Sequence, residues 1–217
     1  MSRYLKGFPF EGLYAITDSG LHGDDIARQV ERAIEGGARV VQYRDKSNDN
    51  ARRTDEAGAI LAVCRRHGVP LLINDDVELA QRIQAHGVHL GLDDVGVVEA
   101  RRMLGEDIII GVSCYNRIDL ARQARADGAD YLAFGRFFSS ESKPGAVQAN
   151  PGLLEEARAL FDCPLVAIGG ITAQNGRPLI EAGADMLAVI RGVFAADDVS
   201  AAARSISQLF MEPENHA

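Results

Sequence analysis

The feature that most constrains this chain is a recurring unit in which a helical stretch ends on glycine and leads straight into an apolar, β-branched run. The joint appears as Glu35-Gly36-Gly37-Ala38, His67-Gly68-Val69, His86-Gly87-Val88, Asp127-Gly128-Ala129 and Ala182-Gly183-Ala184. Glycine accepts the left-handed backbone that closes a helix, so each joint predicts a helix-to-strand turn. Counting the runs between them predicts strands over 12–17, 39–44, 70–74, 87–90, 107–112, 131–135, 164–168 and 186–190, each followed by a segment able to form a helix. The third helix, near 77–85, is expected to be the shortest.

Strand interiors such as Leu71-Leu72-Ile73 and Ile108-Ile109-Ile110 are continuously apolar, as strands buried on both faces are. Eight βα units in 217 residues therefore predict an α/β fold, a single (β/α)8 TIM barrel spanning 1–217 with its core between residues 12 and 210. The main alternative is a doubly wound open sheet. It is weakened by the absence of GxGxxG after the first strand and of GxxxxGK[ST] anywhere. Apolar residues make up 47% of the chain, enough for one substantial core, and no linker or low-complexity tract divides it.

Charge and cysteine content exclude several classes of function. A net charge of -8 argues against a nucleic-acid partner, which needs a basic footprint. Three cysteines with no CxxC pair predict neither a disulfide framework nor a zinc site. The first residues lack the apolar core of a signal peptide, and no run is long enough to span a bilayer, so a cytoplasmic protein without membrane contact is expected. Homo-oligomer formation is left open.

In a (β/α)8 barrel the chemistry collects at the C-terminal ends of the strands, and polar residues gather there in this sequence. Strand two ends in Gln42-Tyr43-Arg44-Asp45-Lys46. Gln42, Arg44 and Lys46 are two residues apart, so an extended backbone points all three the same way, a comb of donors suited to phosphate or diphosphate. The same five residues could equally form a solvated charged loop with an Arg-Asp pair.

Strands three and four end in Asn74-Asp75-Asp76 and Gly91-Leu92-Asp93-Asp94. Asp75 and Asp94 can meet on the rim, and hard carboxylate oxygens suit Mg2+, which completes its shell with water and substrate phosphate. On the plainer reading, Asp76 or Asp93 caps a helix and its neighbour pairs with Lys or Arg. Strand five ends in Ser113. The loop Ser139-Ser140-Glu141-Ser142-Lys143-Pro144-Gly145 follows strand six and places Lys143 as a second anion clamp. Gly169-Gly170 and Gly192 follow strands seven and eight, where barrels often bind phosphate. His89 and Asp18 are expected to be a packed core histidine and a turn or capping residue, without a chemical role.

Taken together, Leu13-Tyr14-Ala15-Ile16-Thr17-Asp18, Gln42 to Lys46, Asn74-Asp75-Asp76, Gly87-Val88-His89-Leu90-Gly91, Gly111-Val112-Ser113 and Ile168-Gly169-Gly170-Ile171 resemble the ordered motifs of the thiamine phosphate synthase family. The resemblance runs from about residue 12 to 194 and implies a transferase. Such an enzyme joins a pyrimidine diphosphate to a thiazole phosphate, or to its carboxylate, with loss of pyrophosphate. It implies that Gln42, Tyr43, Arg44, Asp45, Lys46, Asn74, Ser113 and Lys143 bind the pyrimidine diphosphate, and that Asp75 and Asp94 hold Mg2+. Ser140, Glu141, Ser142, Gly170, Ile190 and Arg191 would contact the thiazole phosphate, and Arg44, Lys46, Ser113 and Lys143 would carry catalysis.

The family's reaction is viewed as dissociative, with a pyrimidine methylene cation captured by the thiazole nitrogen. That chemistry needs leaving-group stabilisation more than a strong base. Three segments depart from the family's pattern: Leu92 stands where glutamine is common, the strand-six loop has Ser140 and Ser142 where threonines are common and Arg136 where proline is usual, and Arg191 stands where serine is frequent. A thiazole tautomerase or a non-catalytic phosphate-ligand sensor on the same barrel are the competing readings.

Overall fold

The computed structural model describes residues 4–18, 25–138 and 149–211. Eight parallel strands close into a barrel: β1 Gly12–Ile16, β2 Ala38–Tyr43, β3 Leu71–Asn74, β4 Gly87–Leu90, β5 Ile109–Tyr115, β6 Tyr131–Phe134, β7 Leu165–Ile168 and β8 Met186–Val189. Closure is made by β8 on β1, with Met186 opposite Gly12 and Val189 opposite Ala15. The expected (β/α)8 barrel is therefore the fold. Helices α1 Ile26–Glu35, α2 Asn50–His67, α3 Val77–Ile83, α4 Val97–Leu104, α5 Ile118–Ala126, α6 Gly152–Leu160, α7 Arg177–Glu181, α8 Arg191–Phe194 and α9 Val199–Ser207 intervene or follow.

Two packed layers result from the two-residue alternation of each strand. One parity fills the barrel interior with Tyr14, Ile16, Val40, Leu72, Ile109, Tyr131, Val166 and Met186. The other, including Leu13, Val41, Tyr43, Leu71, Ile73, Val88, Leu132 and Leu187, meets the helices. A short antiparallel hairpin, Tyr4–Leu5 with Phe8–Pro9, precedes the barrel, and Leu5, Phe8 and Phe10 pack onto the interior cluster. The alternating units did not predict this hairpin, because two-residue strands carry no periodicity.

Three expectations need correction. β5 starts at Ile109 and extends to Tyr115, beyond the predicted 107–112, so Ser113 lies within the strand at a register irregularity. The shortest helices are α7 and α8, with five and four residues against seven in α3. The glycine joints do place Gly37, Gly68, Gly128 and Gly183 at positive φ, but Gly87 is not among the positive-φ residues. There the left-handed cap is Gln84, and a Cβ on Gly87 would lie 2.3 Å from the Ile109 carbonyl oxygen and 2.6 Å from Leu72 Cδ2. Gly87 is required by close packing inside the barrel. Among the described residues no helix is long and apolar enough to cross a membrane.

Candidate active site

The rim of β2 is pinned from both sides. Thr17, fully buried, accepts a hydrogen bond at its hydroxyl from the Arg44 amide at 2.9 Å, and the Thr17 amide donates to the Gln42 carbonyl at 3.0 Å. Arg44 Nη1 reaches Asp18 Oδ1 at 3.3 Å, so Asp18 orients the guanidinium and is more than a turn residue.

The donor comb has the predicted parity but not a common depth. Gln42 is only 2% exposed and donates through Nε2 to the Tyr14 hydroxyl at 2.6 Å, inside the barrel. Arg44 is half-buried and Lys46 exposed, so the three form a ladder from interior to rim.

Tyr43 and Asp45, expected among the diphosphate binders, point away from the barrel mouth. Strand alternation turns them toward α2, where Tyr43 donates to Glu56 at 2.6 Å and Arg52 donates to Asp45 at 2.6 Å. Burial and the neighbouring Glu56 carboxylate push the Tyr43 pKa up, which keeps its hydroxyl a donor. The Asp45 carboxylate is almost fully enclosed, with 1% of its side chain exposed. Burial opposes its ionisation, but hydrogen bonds from Ser47 and the charge of Arg52 outweigh burial and hold it below the usual carboxylate range.

These bonds latch the loop after β2 to α2. The D45N variant is expected to lose about 1–3 kcal/mol at neutral pH, since the amide leaves charged and backbone donors poorly paired. Because the folded pKa is lowered, the carboxylate's contribution is present above the unfolded value of about 4 and is lost as pH falls through the folded value. Thermal melts should therefore show wild type and D45N converging in acid; a constant gap would disprove the latch.

The aspartates at the end of β3 divide their work. Asp76 caps α3, accepting from the Leu79 amide at 2.8 Å, and pairs with Arg53 at 2.8 Å. Asp75 instead adopts φ +63°, a left-handed backbone that is rare outside glycine, and its carboxylate meets Lys46 Nζ. The capping alternative is thus realised at Asp76, which leaves Asp75 to the rim. Asp93 caps nothing, since α4 begins at a Gly96 cap without a side-chain bond.

Asp94 folds back onto its own loop, accepting from the Gly91 amide at 2.7 Å, and lies within hydrogen-bond reach of Asp75. The two carboxylates titrate as a pair. Burial disfavours charge on Asp75, but the Lys46 ammonium and the hydrogen bond with Asp94 hold its pKa below the ordinary value. Burial, the hydrogen bond to Asp75 and the Asp75 charge push the Asp94 pKa up. Two like charges at this distance resist joint ionisation unless a cation joins them. Among the described residues no group of three or more His, Cys, Asp or Glu converges. Two carboxylates are nonetheless a sufficient protein share for Mg2+, whose remaining ligands are typically water and phosphate oxygens.

Below the rim, His89 is buried and hydrogen-bonded, as expected of a core histidine. Its Nδ1 lies 2.7 Å from the Tyr131 hydroxyl and its Nε2 lies 2.8 Å from Ser113 Oγ. Burial pushes its pKa down to about 4, so the ring is neutral. Tyr131 also meets the Tyr14 hydroxyl at 2.9 Å, and burial raises the pKa of both tyrosines. The sequence reading missed Tyr14, Thr17 and Tyr131. Tyr14 and Tyr131 lie on the inward parity of β1 and β6, which was the available signal, whereas Thr17 lies just past the end of β1 and carried none.

Asn74 sits half-buried at the end of β3. Gly170 takes φ +65° and its carbonyl accepts from Asn175 at 3.0 Å, while Ile190 and Arg191 open the short α8 at the end of β8. The neighbouring Gly169 is closed over by Arg136, whose Cα and Cγ would each lie 2.7 Å from a Cβ there. Leu92 is 58% exposed on the β4 loop. Ser140, Glu141, Ser142 and Lys143 lie outside the described residues.

With this geometry in place, comparison with known proteins identifies the family. Residues 13–193 match the model of the family described as thiamine monophosphate synthase. The thiamine-phosphate synthase of Thioalkalivibrio sulfidiphilus is 50% identical over 205 residues, covering 94% of this chain and 97% of its own. That of Thiobacillus denitrificans is 49% identical over 211 residues, covering 97% and 100%. The solved thiamine phosphate pyrophosphorylase from Pyrococcus furiosus superposes with a TM-score of 0.84 at 31% identity, covering 91% of this chain and 94% of that one. A match over most of the barrel, and relatives about half identical along nearly its whole length, mean that this chain belongs to the thiamine monophosphate synthase family.

Proposed function

We propose that this chain forms thiamine phosphate by displacing pyrophosphate from a pyrimidine diphosphate with the ring nitrogen of a thiazole phosphate, in a Mg2+-dependent reaction. The observation that carries this reading is the meeting of Lys46, Asp75 and Asp94 on one rim, beside an Arg44 braced by Asp18. Family membership supplies the activity, thiamine phosphate synthesis as a transferase reaction. The metal and the individual residue roles are our inference.

In this reading Asp75 and Asp94 hold Mg2+, which when bound neutralises charge on the diphosphate and its leaving oxygen. Lys46 exchanges its Asp75 partner for a phosphate oxygen, and Arg44 donates its fork to the same group. Lys143 adds a further positive charge from the loop after β6. Asn74 orients the diphosphate or pyrimidine from the end of β3, and Ser113 donates a hydrogen bond to the departing pyrophosphate. The carbon–oxygen bond breaks with its electron pair on pyrophosphate, and the thiazole nitrogen closes on the pyrimidine methylene carbon.

Positioning and charge stabilisation suffice for such a reaction, which agrees with the neutral state of His89, buried below the rim. Gly170, Ile190 and Arg191, with Ser140, Glu141 and Ser142, receive the thiazole phosphate. Tyr43 and Asp45 support the β2 loop from the α2 side and are withdrawn from direct contact. The decisive experiment measures pyrophosphate release with both substrates, with each alone, and with Mg2+ or a chelator. Release should require both substrates and the metal. A folded protein that binds either ligand without release would favour the tautomerase or sensor reading.

A further inference from the structure

A continuous chain of hydrogen bonds crosses the barrel interior and ends at Ser113. Gln42 Nε2 donates to the Tyr14 hydroxyl at 2.6 Å, Tyr14 meets Tyr131 at 2.9 Å, Tyr131 meets His89 Nδ1 at 2.7 Å, and His89 Nε2 meets Ser113 Oγ at 2.8 Å. The residues come from β2, β1, β6, β4 and β5. Gly111 makes room for the arrangement, because a Cβ there would lie 1.8 Å from Tyr131 Cζ.

We propose that His89 is a positioning residue, held by this chain as the Nε2-protonated tautomer so that the Ser113 hydroxyl proton is directed to an anionic ligand oxygen.

Each link has one donor to place, and that sets the direction. The Gln42 amide donates to Tyr14, and the buried Tyr14 proton finds its acceptor when it goes to Tyr131, the other hydroxyl within reach. The Tyr131 proton then goes to His89 Nδ1, which can only accept. A neutral imidazole accepting at Nδ1 carries its proton on Nε2, and that proton is donated to Ser113 Oγ. Ser113 accepts from below and keeps its own proton for the site above. Reversed, Ser113 would spend its proton on His89 and turn lone pairs toward pyrophosphate, a repulsive contact. The chain thus converts a hydroxyl that could serve either way into a fixed donor, the preorganisation that leaving-group stabilisation requires.

This inference deepens the synthase reading and rests on it for its kinetic consequence, but its structural core can be tested alone. Nitrogen-15 NMR of the full-length protein with labelled histidine, the His89 signals being those lost in H89Q, should show Nε2 as the protonated nitrogen. Protonation at Nδ1 in the folded protein overturns the proposal whether or not the enzyme is active.

Kinetics supply the second test. S113A is expected to lower kcat about 100-fold, the usual cost of one transition-state donor. H89Q and Y131F should each lower kcat about 10-fold with KM nearly unchanged, since the donor acts mainly as pyrophosphate leaves. Y131F keeps the ring that fills the barrel, so a folding failure of H89Q would still leave one arm. In the S113A background both changes should cost nothing further. The same 10-fold loss in both backgrounds would mark a merely structural role and overturn the proposal, whereas an inactive wild type would overturn the synthase reading and leave the NMR result standing.

Discussion

Replacing Asp75 by asparagine is expected to lower kcat/KM about 1000-fold at cellular Mg2+ while leaving the melting temperature almost unchanged. Asparagine matches the volume of aspartate and is among the residues that best tolerate positive φ, so the φ +63° at this position is kept. What disappears is a charge. Without it Lys46 loses its partner, and Asp94 loses the like charge that pushes its pKa up. On the proposed Mg2+ site, the protein then offers the cation one anionic ligand in place of two.

Loss of about 4 kcal/mol of leaving-group stabilisation corresponds to that factor in rate. Pyrophosphate release measured across a Mg2+ titration, beside a thermal melt, separates the effects. Rate should recover partly as Mg2+ rises, with the midpoint displaced upward from wild type. A loss smaller than tenfold in an intact protein would remove Asp75 from the metal site and return it to a simple ion pair with Lys46.

The largest expected effect on stability comes from G87A, a single methyl group placed where the barrel has no room. Its Cβ would fall 2.3 Å from the Ile109 carbonyl oxygen and 2.8 Å from Ile109 Cβ. Neither can retreat easily, because Gly87 is in register with Ile109 on one side and Leu72 on the other. Overpacking against backbone should cost about 3 kcal/mol, and for a chain of this size lower the melting temperature by roughly 6–12 °C. G58A is the control. Gly58 lies within α2 with nothing within 4 Å of a new Cβ, so alanine should stabilise by about 0.5–1 kcal/mol. Equal melting temperatures for G87A and wild type would show that β4 can shift away from its neighbours.

Gly87 also illustrates how a correct prediction can rest on the wrong physics. The helix-to-strand joint was found from its glycine, yet the left-handed turn is made by Gln84 and the glycine is demanded by a neighbouring strand. The donor comb behaved similarly. Alternation placed Gln42, Arg44 and Lys46 on one side, but only barrel closure sends Gln42 into the interior to meet Tyr14 while Lys46 stays at the rim. For Asp75 and Asp76, the sequence left open whether Asp76 caps the next helix or stands free beside a rim carboxylate at Asp75. A local φ at Asp75 and the first turn of α3 separate them.

By itself the sequence determined what contiguous residues can encode. The apolar runs, the helical stretches between them and the turn residues at their joints specify eight βα units. Polar residues at the strand ends specify which rim is polar, and their order along the chain carries the family. The tertiary structure alone decided the pairings that run across the barrel: Tyr14 with Tyr131, 117 positions apart, His89 with Ser113, and Lys46 with Asp75. It also decided that Tyr43 and Asp45 brace α2. The physical reason is that inward-facing side chains from different strands share one small volume, so whether a hydroxyl donates or a carboxylate is ionised depends on partners brought near only by closure of the sheet.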